Sequence, residues 1–220
     1  MPERWSEKVA ATWLATDSAA EMLEMPRKIA ASVVSLHGEI KSVLDIASGP
    51  GTFLEAFLNH FPNAKGIWHD GSDVMLRQAK ENLVKFVDRV TWHQCNMMEI
   101  PNSGIPAGID VILTSRATHH LTKDELAQFY SDTSQLLNPG GWIINLDHVQ
   151  LSEPWEDDFR TARKLVVKPK ESSDGAEGHK HERKAPMLDD HMDTLKSLGF
   201  SHVQTGWQAF YTYLIIAKRQ

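Results

Sequence analysis

The spacing of apolar positions changes along the chain, and the spacing predicts the elements. In residues 4–37, apolar side chains recur at helical intervals. Pro26 and the Thr-Asp-Ser of residues 16–18 interrupt them, so we expect two helices. From residue 42 onward, short continuous apolar runs alternate with helical patterns. This alternation is typical of parallel strands that are covered by helices on both faces.

The order of these runs predicts the fold class. The predicted strands are residues 42–47, 65–70, 90–96, 109–116 and 142–149, separated by helices at 52–60, 73–86 and 122–137 and by a turn at 138–141. A helix at 187–198 and two strand-like runs, 201–208 and 210–219, follow. We therefore expect an α/β fold: a three-layer, doubly wound, seven-stranded and mostly parallel sheet, with an antiparallel C-terminal edge and an N-terminal helical cap.

Composition and charge narrow the class of protein. The formal net charge is -6 and no dense basic block occurs, which argues against a nucleic-acid partner. The one cysteine, Cys95, allows no intrachain disulfide and fits a reducing compartment. The N-terminus has no signal-peptide pattern, and no stretch reaches the roughly 18 apolar residues of a membrane span. We expect a cytoplasmic protein with no membrane partner.

A loop of small residues follows the first predicted strand, in the sequence VLDIASGPG (43–51). A dinucleotide fingerprint needs a small residue where Leu54 stands, and Asp45 would face the incoming pyrophosphate. A phosphate-binding P-loop is excluded because no Gly-Lys-Ser/Thr follows. A carboxylate at this position suits a ligand with a cationic amino-acid group and no phosphate. An NAD-dependent oxidoreductase stays open as the weaker alternative.

The same stretch resembles motif I of the class I, seven-stranded S-adenosylmethionine (SAM)-dependent methyltransferases. That motif has the form V-L-D-x-G-x-G-x-G, and the chain departs from it at Ala47. The segment GIWHDGSDVMLRQA is similar to the family's second motif, with Asp70 as its acid. QCNMMEIP, IDVILTSRATHHL and LLNPGGWIINLD resemble later motifs, in the family's order. The resemblance covers residues 43–147, about half of the chain.

The resemblance implies SAM as cofactor and S-adenosylhomocysteine (SAH) as product. Asp45 would meet the ammonium group, directly or through water, and Asp70 would accept hydrogen bonds from both ribose hydroxyls. Asn96 would contact the adenine amino group while Met97 packs on the ring, and Arg116 would contact the methionine carboxylate or a substrate anion. The implied cofactor-binding residues are Asp45, Ala47, Ser48, Gly49, Gly51, Asp70, Gly71, Asn96, Met97, Ser115 and Arg116.

Methyl transfer from SAM is an SN2 displacement, in which the protein orients the acceptor and, for a hydroxyl or protonated amine, removes a proton. The candidate catalytic bases are His119 and His120, after the fourth predicted strand, and His148, after the fifth. Asp147 precedes His148, but neighbouring strand residues point to opposite faces, so we do not expect Asp147 to orient it. We expect no metal site, and we interpret HKHERK (179–184) as a solvated charged loop.

The resemblance also suggests a domain plan, in which a single SAM-dependent methyltransferase domain spans residues 1–220. Residues 1–40 would form an N-terminal helical cap, 41–149 the cofactor-binding core, 150–186 a cap or lid insertion, and 187–220 the C-terminal helix and edge strands. The polar, non-periodic stretch 168–186 has the length of a lid or binding loop. Trp5, Trp13, Trp155 and Phe159 would line an acceptor pocket, and Arg27 would reach the cofactor tail.

The predicted function is a methyltransferase (EC 2.1.1.-) that acts on oxygen, nitrogen or carbon of a small-molecule acceptor. Two alternatives stay open: methylation of a tRNA or a protein side chain, and a non-catalytic SAM-binding protein. A homodimer is compatible with the sequence.

Overall fold

The fold is built on one seven-stranded sheet. The computed structural model describes residues 7–16, 21–167 and 185–220. The strand order is β3-β2-β1-β4-β5-β7-β6. Strands β1 to β5 pair in parallel, and β7 runs antiparallel to β5 and β6. The expected fold class is therefore confirmed. The strands are β1 Ser42–Ile46, β2 Lys65–His69, β3 Val90–His93, β4 Ile109–Ser115, β5 Leu137–His148, β6 Phe200–Ala209 and β7 Thr212–Arg219.

Helices cover both faces of the sheet. Neighbouring strand residues such as Val111 and Ile112 point to opposite faces and join two separate apolar clusters. The helices are α1 Glu7–Thr16, α2 Glu24–Ser35, α3 Thr52–His60, α4 Asp73–Asn82, α5 Lys123–Ser134, α6 Trp155–Val166 and α7 Leu188–Ser197. Buried side chains of α2, α3 and α4 belong to the first cluster, and those of α5 and α7 belong to the second.

Several predicted boundaries were wrong. Pro26 does not interrupt a helix: it lies in the first turn of α2, where a missing N–H costs nothing. Helix α4 is shorter than predicted and is followed by 3₁₀ turns at Val84–Arg89. Strand β3 ends at His93, so residues 94–96 lie in the following loop.

Strand β5 begins earlier than predicted and contains the Pro-Gly-Gly sequence. Leu137 pairs with Ile109, whereas Trp142 pairs with Val111, so two residues of β4 face a longer stretch of β5. Residues 138–141 therefore form an irregularity inside the strand rather than a turn before it.

Helix α6 was not predicted. Trp155, Phe159, Ala162 and Val166 follow one another at the intervals of a helix face, which is the signal that would have found it. None of the α6 residues is buried. The rest of the predicted lid, residues 168–184 with His179 and His181, lies outside the described residues, as do Trp5 and the side chain of Trp13.

The loop between β1 and α3 has an unusual backbone. Ala47, Gly49 and Gly51 have φ angles of 53°, 55° and 80°, in the left-handed region. Glycine adopts this region freely, whereas an L-residue such as Ala47 pays about 1–2 kcal/mol. The indole N–H of Trp68 donates to the Gly49 carbonyl at 2.9 Å. The amide of Ser48 donates to the His69 carbonyl at 2.9 Å. Strand β2 thus holds the loop in its strained form.

Replacing Ala47 by glycine should not destabilise the protein. The relieved strain of about 1–2 kcal/mol exceeds the extra unfolded-state entropy of glycine, about 0.4–1 kcal/mol. Ala127→Gly, on the exposed face of α5, is the matched control and should lose about 1 kcal/mol. Urea unfolding measures both changes. An equal loss in the two variants would contradict the strain at Ala47.

Candidate functional site

The buried carboxylate of Asp45 lies at the end of β1. Its Oδ2 accepts hydrogen bonds from the Ser48 hydroxyl at 2.6 Å and from the Leu54 amide at 3.1 Å. Its Oδ1 is buried and has no hydrogen-bond partner among the described residues. Burial raises the pKa of Asp45 to about 7, against the lowering effect of these two bonds and of the Arg27 charge. One oxygen is thus left for a donor that the described residues do not supply.

Asp70 follows β2 and binds the glycine loop. Its Oδ2 accepts from the Gly49 amide at 2.8 Å, and its Oδ1 accepts from the Ser72 amide at 2.9 Å. Burial raises the pKa of this carboxyl, and the backbone amides oppose the rise. Each carboxylate oxygen has a second lone pair, so Asp70 can still accept from two hydroxyl groups.

The residues that follow β2 and β3 are close neighbours. A side chain at Gly71 would lie 3.6 Å from the Cys95 carbonyl oxygen, so these two loops pack against each other. The Asn96 side-chain oxygen, which the resemblance assigned to an adenine amino group, accepts from the Met98 amide at 2.9 Å and caps the 3₁₀ turn Met97–Asn102. The structure thus brings Asp70, Gly71 and Asn96 together at one edge.

Ser115 and Arg116 end β4 beside β5. The Ser115 hydroxyl and the Arg116 amide both donate to the Leu146 carbonyl, each at 3.1 Å. Arg116 has a φ of 53°, a second L-residue in the left-handed region. The chain therefore turns sharply here, and the Ser115 hydroxyl adds a hydrogen bond between β4 and β5.

Asp147, at the end of β5, collects donors from the turn that follows β4. Its Oδ2 accepts from the Ala117 amide at 2.9 Å, the Thr118 hydroxyl at 2.7 Å and the His119 amide at 3.2 Å. Its Oδ1 lies 2.6 Å from His119 Nδ1 and accepts from the His148 amide at 2.7 Å. Burial favours a raised pKa for Asp147, but its contact with the His119 imidazole and its other hydrogen bonds hold the pKa well below its usual range. Asp147 is thus an anion that orients His119.

The three predicted histidines lie together. The His119 ring centroid is 4.0 Å from that of His120 and 5.3 Å from that of His148. The bond from Asp147 to His148 goes to the backbone amide, as expected for neighbours on a strand. The Asp147 carboxylate instead contacts the imidazole of His119, across the sheet.

His148 has a different environment. Its Nδ1 lies 2.9 Å from the Thr212 hydroxyl oxygen, and its ring is 5.0 Å from the Tyr211 ring, edge to face. Burial lowers the pKa of His148 to about 3, and the charges of Arg116 and Arg163 add to this effect. His148 is therefore neutral at physiological pH.

A buried polar network, which we did not predict from the sequence, contacts Thr118, one of the hydrogen-bond donors to Asp147. The Asn145 amide donates to the Thr118 hydroxyl and to the Tyr130 hydroxyl, each at 2.9 Å. The Tyr130 hydroxyl lies 2.8 Å from His191 Nδ1. Asn145 comes two residues before Asp147, on the same face of an otherwise apolar strand. This spacing of two polar residues is the sequence signal that could have indicated the network.

The described residues contain neither a candidate metal centre nor a candidate membrane span. Residues 7–16, 21–167 and 185–220 contain no group of three or more His, Cys, Asp or Glu side chains that could hold a metal ion. In the same ranges, no helix has the length and apolar character that a membrane span requires.

Comparisons with known proteins show what the chain is similar to. Residues 43–141 match the family model described as a methyltransferase domain. An uncharacterized methyltransferase of Bacillus cereus is 35% identical over 108 residues, covering 49% of this chain and 47% of the relative. The match thus spans about half the length of that curated relative.

Solved structures share the fold. A protein from Nostoc punctiforme, assigned as an O-methyltransferase, has a TM-score of 0.70 at 21% identity, covering 94% of this chain and 62% of that one. Human N-acetylserotonin methyltransferase in complex with SAM has a TM-score of 0.57 at 15% identity, covering 82% and 48%. Residues 43–141 are thus similar to a methyltransferase domain, and the chain shares its fold with solved methyltransferase structures.

The raised pKa of Asp45 gives a pH dependence. A carboxylate is needed to bind an ammonium group, so SAH binding should release a proton near and below pH 7, and affinity should rise from pH 6 to pH 8. Calorimetry in two buffers of different ionisation enthalpy measures this release. Asp45→Asn should bind more weakly and lose the Asp45 part of the slope. An unchanged slope in that variant would assign the proton to another group.

The same pKa rise predicts the sign of a stability effect. Because the folded-state pKa lies above the unfolded value, the protonated form of Asp45 favours folding below about pH 4, and this contribution is lost as pH rises through about 7. We therefore expect the free energy of unfolding of Asp45→Asn, measured relative to that of the wild type, to be higher at pH 8 than at pH 5. Both proteins are compared without ligand. Urea unfolding at the two pH values measures the difference.

Proposed function

We propose that the chain is a SAM-dependent methyltransferase that transfers a methyl group to a hydroxyl oxygen of a small molecule. The observation that carries this proposal is the Asp147–His119 pair, 2.6 Å apart, at the carboxyl edge that also holds Asp45 and Asp70. Ligands of parallel α/β sheets bind at this edge. The methyltransferase names of the compared proteins support the same reading.

Asp45 suits the ammonium group of the cofactor, and Asp70, which binds the Gly49 amide, suits its ribose. The buried Oδ1 of Asp45 is an acceptor without a donor, which fits an ammonium group. Asp70 keeps lone pairs for the two ribose hydroxyls while it binds the Gly49 amide. When bound, SAM supplies an electrophilic methyl group. The protein holds the cofactor and the acceptor in line and excludes water.

His119 is the proposed general base. Asp147 accepts the hydrogen bond from Nδ1, which fixes the ring orientation and leaves Nε2 as the nitrogen that takes the acceptor's hydroxyl proton. The positive charge that forms on the imidazole is stabilised by the Asp147 carboxylate beside it. A hydroxyl acceptor loses its proton when it is methylated, and a base oriented by a carboxylate assists this step, which is why we favour oxygen.

SAH should stabilise the protein and NAD should not. At 100 times its Kd, SAH adds about 2.7 kcal/mol to the free energy of unfolding. Asp70→Ala should weaken binding at least about 100-fold, because each hydrogen bond to a charged group contributes about 1.5–3 kcal/mol. Asp88→Ala, on the exposed surface, is the matched control. Thermal shift measures the stabilisation, and calorimetry measures the affinity of each variant for SAH. Stabilisation by NAD instead of SAH would contradict the proposal.

His119→Gln should lower kcat by about 100- to 10,000-fold while the Kd of SAH stays within twofold. Methyl transfer from tritiated SAM to a panel of phenols and alcohols measures the rate. The loss should shrink for acidic phenols such as 4-nitrophenol, which need less help to lose a proton. His60→Gln, exposed at the end of α3, is the control. An equal loss across all acceptors would indicate a structural role for His119.

A further inference from the structure

We propose that the acceptor carries a carboxylate and that Arg163 binds it beside Tyr211 and His148. This inference rests on the proposed function, since it names the acceptor class of the same site. Arg163 lies on α6, the helix that follows the β5 edge.

Arg163 has a buried donor with no acceptor. Its guanidinium carbon is 5.8 Å from the centroid of the Tyr211 ring. Its Nε is buried and has no hydrogen-bond partner among the described residues. An N–H that is removed from water and left unpaired costs free energy, and for a charged group the cost is larger. A carboxylate supplies the missing acceptor and the opposite charge.

Arg160 lies one helical turn before Arg163, and its guanidinium group has a different set of partners. Its guanidinium carbon is 5.0 Å from the same Tyr211 ring centroid. Its Nε and Nη2 both contact Glu156 Oε1, at 3.1 and 2.7 Å. The two arginines share a helix and a ring, but within residues 7–16, 21–167 and 185–220 only Arg160 has its charge balanced by a carboxylate. The unbalanced charge is therefore specific to Arg163.

The position of Arg163 suits an acceptor that also reaches the base. The Tyr211 ring lies 5.0 Å from the His148 ring, which lies 5.3 Å from the His119 ring. Arg163 and His119 thus stand at opposite ends of a short row of aromatic rings. A ring-bearing acid can place its carboxylate at one end and its hydroxyl at the other.

The charges around His148 also favour an acceptor that carries a carboxylate. The charges of Arg116 and Arg163 both act on His148. The opposing charge, Asp147, is buried and already accepts five hydrogen bonds from the protein. Two arginines thus act on this corner, although the whole chain has a net charge of -6. The planar guanidinium matches the two oxygens of a carboxylate in shape and spacing.

The experiment compares acids with their amides. The probes are salicylate, 4-hydroxybenzoate and 4-hydroxyphenylacetate, each paired with its primary amide, which has the same shape and no charge. Calorimetry on the SAH-saturated protein should give at least a tenfold tighter Kd for one acid than for its amide. Arg163→Gln should abolish this preference, and Arg160→Gln should keep it. Arg163→Lys, which keeps the charge without the planar fork, should retain part of it.

Three results overturn the inference: amides that bind as tightly as their acids, an acid preference that survives in Arg163→Gln, and one that is lost equally in Arg160→Gln. The comparison is repeated without SAH, so that it tests the arginine site by itself. SAH binding without an acid preference refutes the acceptor class alone. An acid preference without SAH binding refutes the methyltransferase proposal instead.

Discussion

The arrangement of the site depends on one buried carboxylate. Asp147 is 2% exposed and accepts five hydrogen bonds, four of them from residues 117–119 after β4. A buried charge of this kind is tolerated only with such a set of donors, so the turn after β4 can adopt few other forms. Asn145 holds Thr118 from the other side. The position of His119 is therefore a consequence of how β4 pairs with β5.

Three buried carboxyl groups lie at the same edge of the sheet, and their pKa values are shifted in different directions. Asp45 and Asp70 accept from backbone amides and hydroxyls, and burial raises their pKa values. Asp147 faces a histidine and stays ionised. One type of side chain thus gives two carboxyl groups with raised pKa values and one fixed anion, and the neighbouring groups decide which.

The sequence predicted the fold well because helix and strand periods are local signals. The predicted helix 52–60 matches α3, Thr52–His60, at both ends. The Asp147–His119 contact could not be found in this way, because it depends on the register that pairs Ser115 with Leu146. The strain at Ala47 and the difference between Arg160 and Arg163 likewise depend on the surrounding structure. The chemistry of a side chain can be predicted from its type, but its partner cannot.

Helix α6 has a consequence for how molecules reach the site. It buries none of its residues, and two of its arginines lie against a single tyrosine ring. An element with so little buried surface separates from its neighbours at a small fraction of the free energy of global unfolding. The sheet and the bonds of Asp147 stay intact during such an opening. The sheet and the turn that Asp147 holds thus form the rigid part of the described structure, and α6 is an element that opens at little cost in free energy.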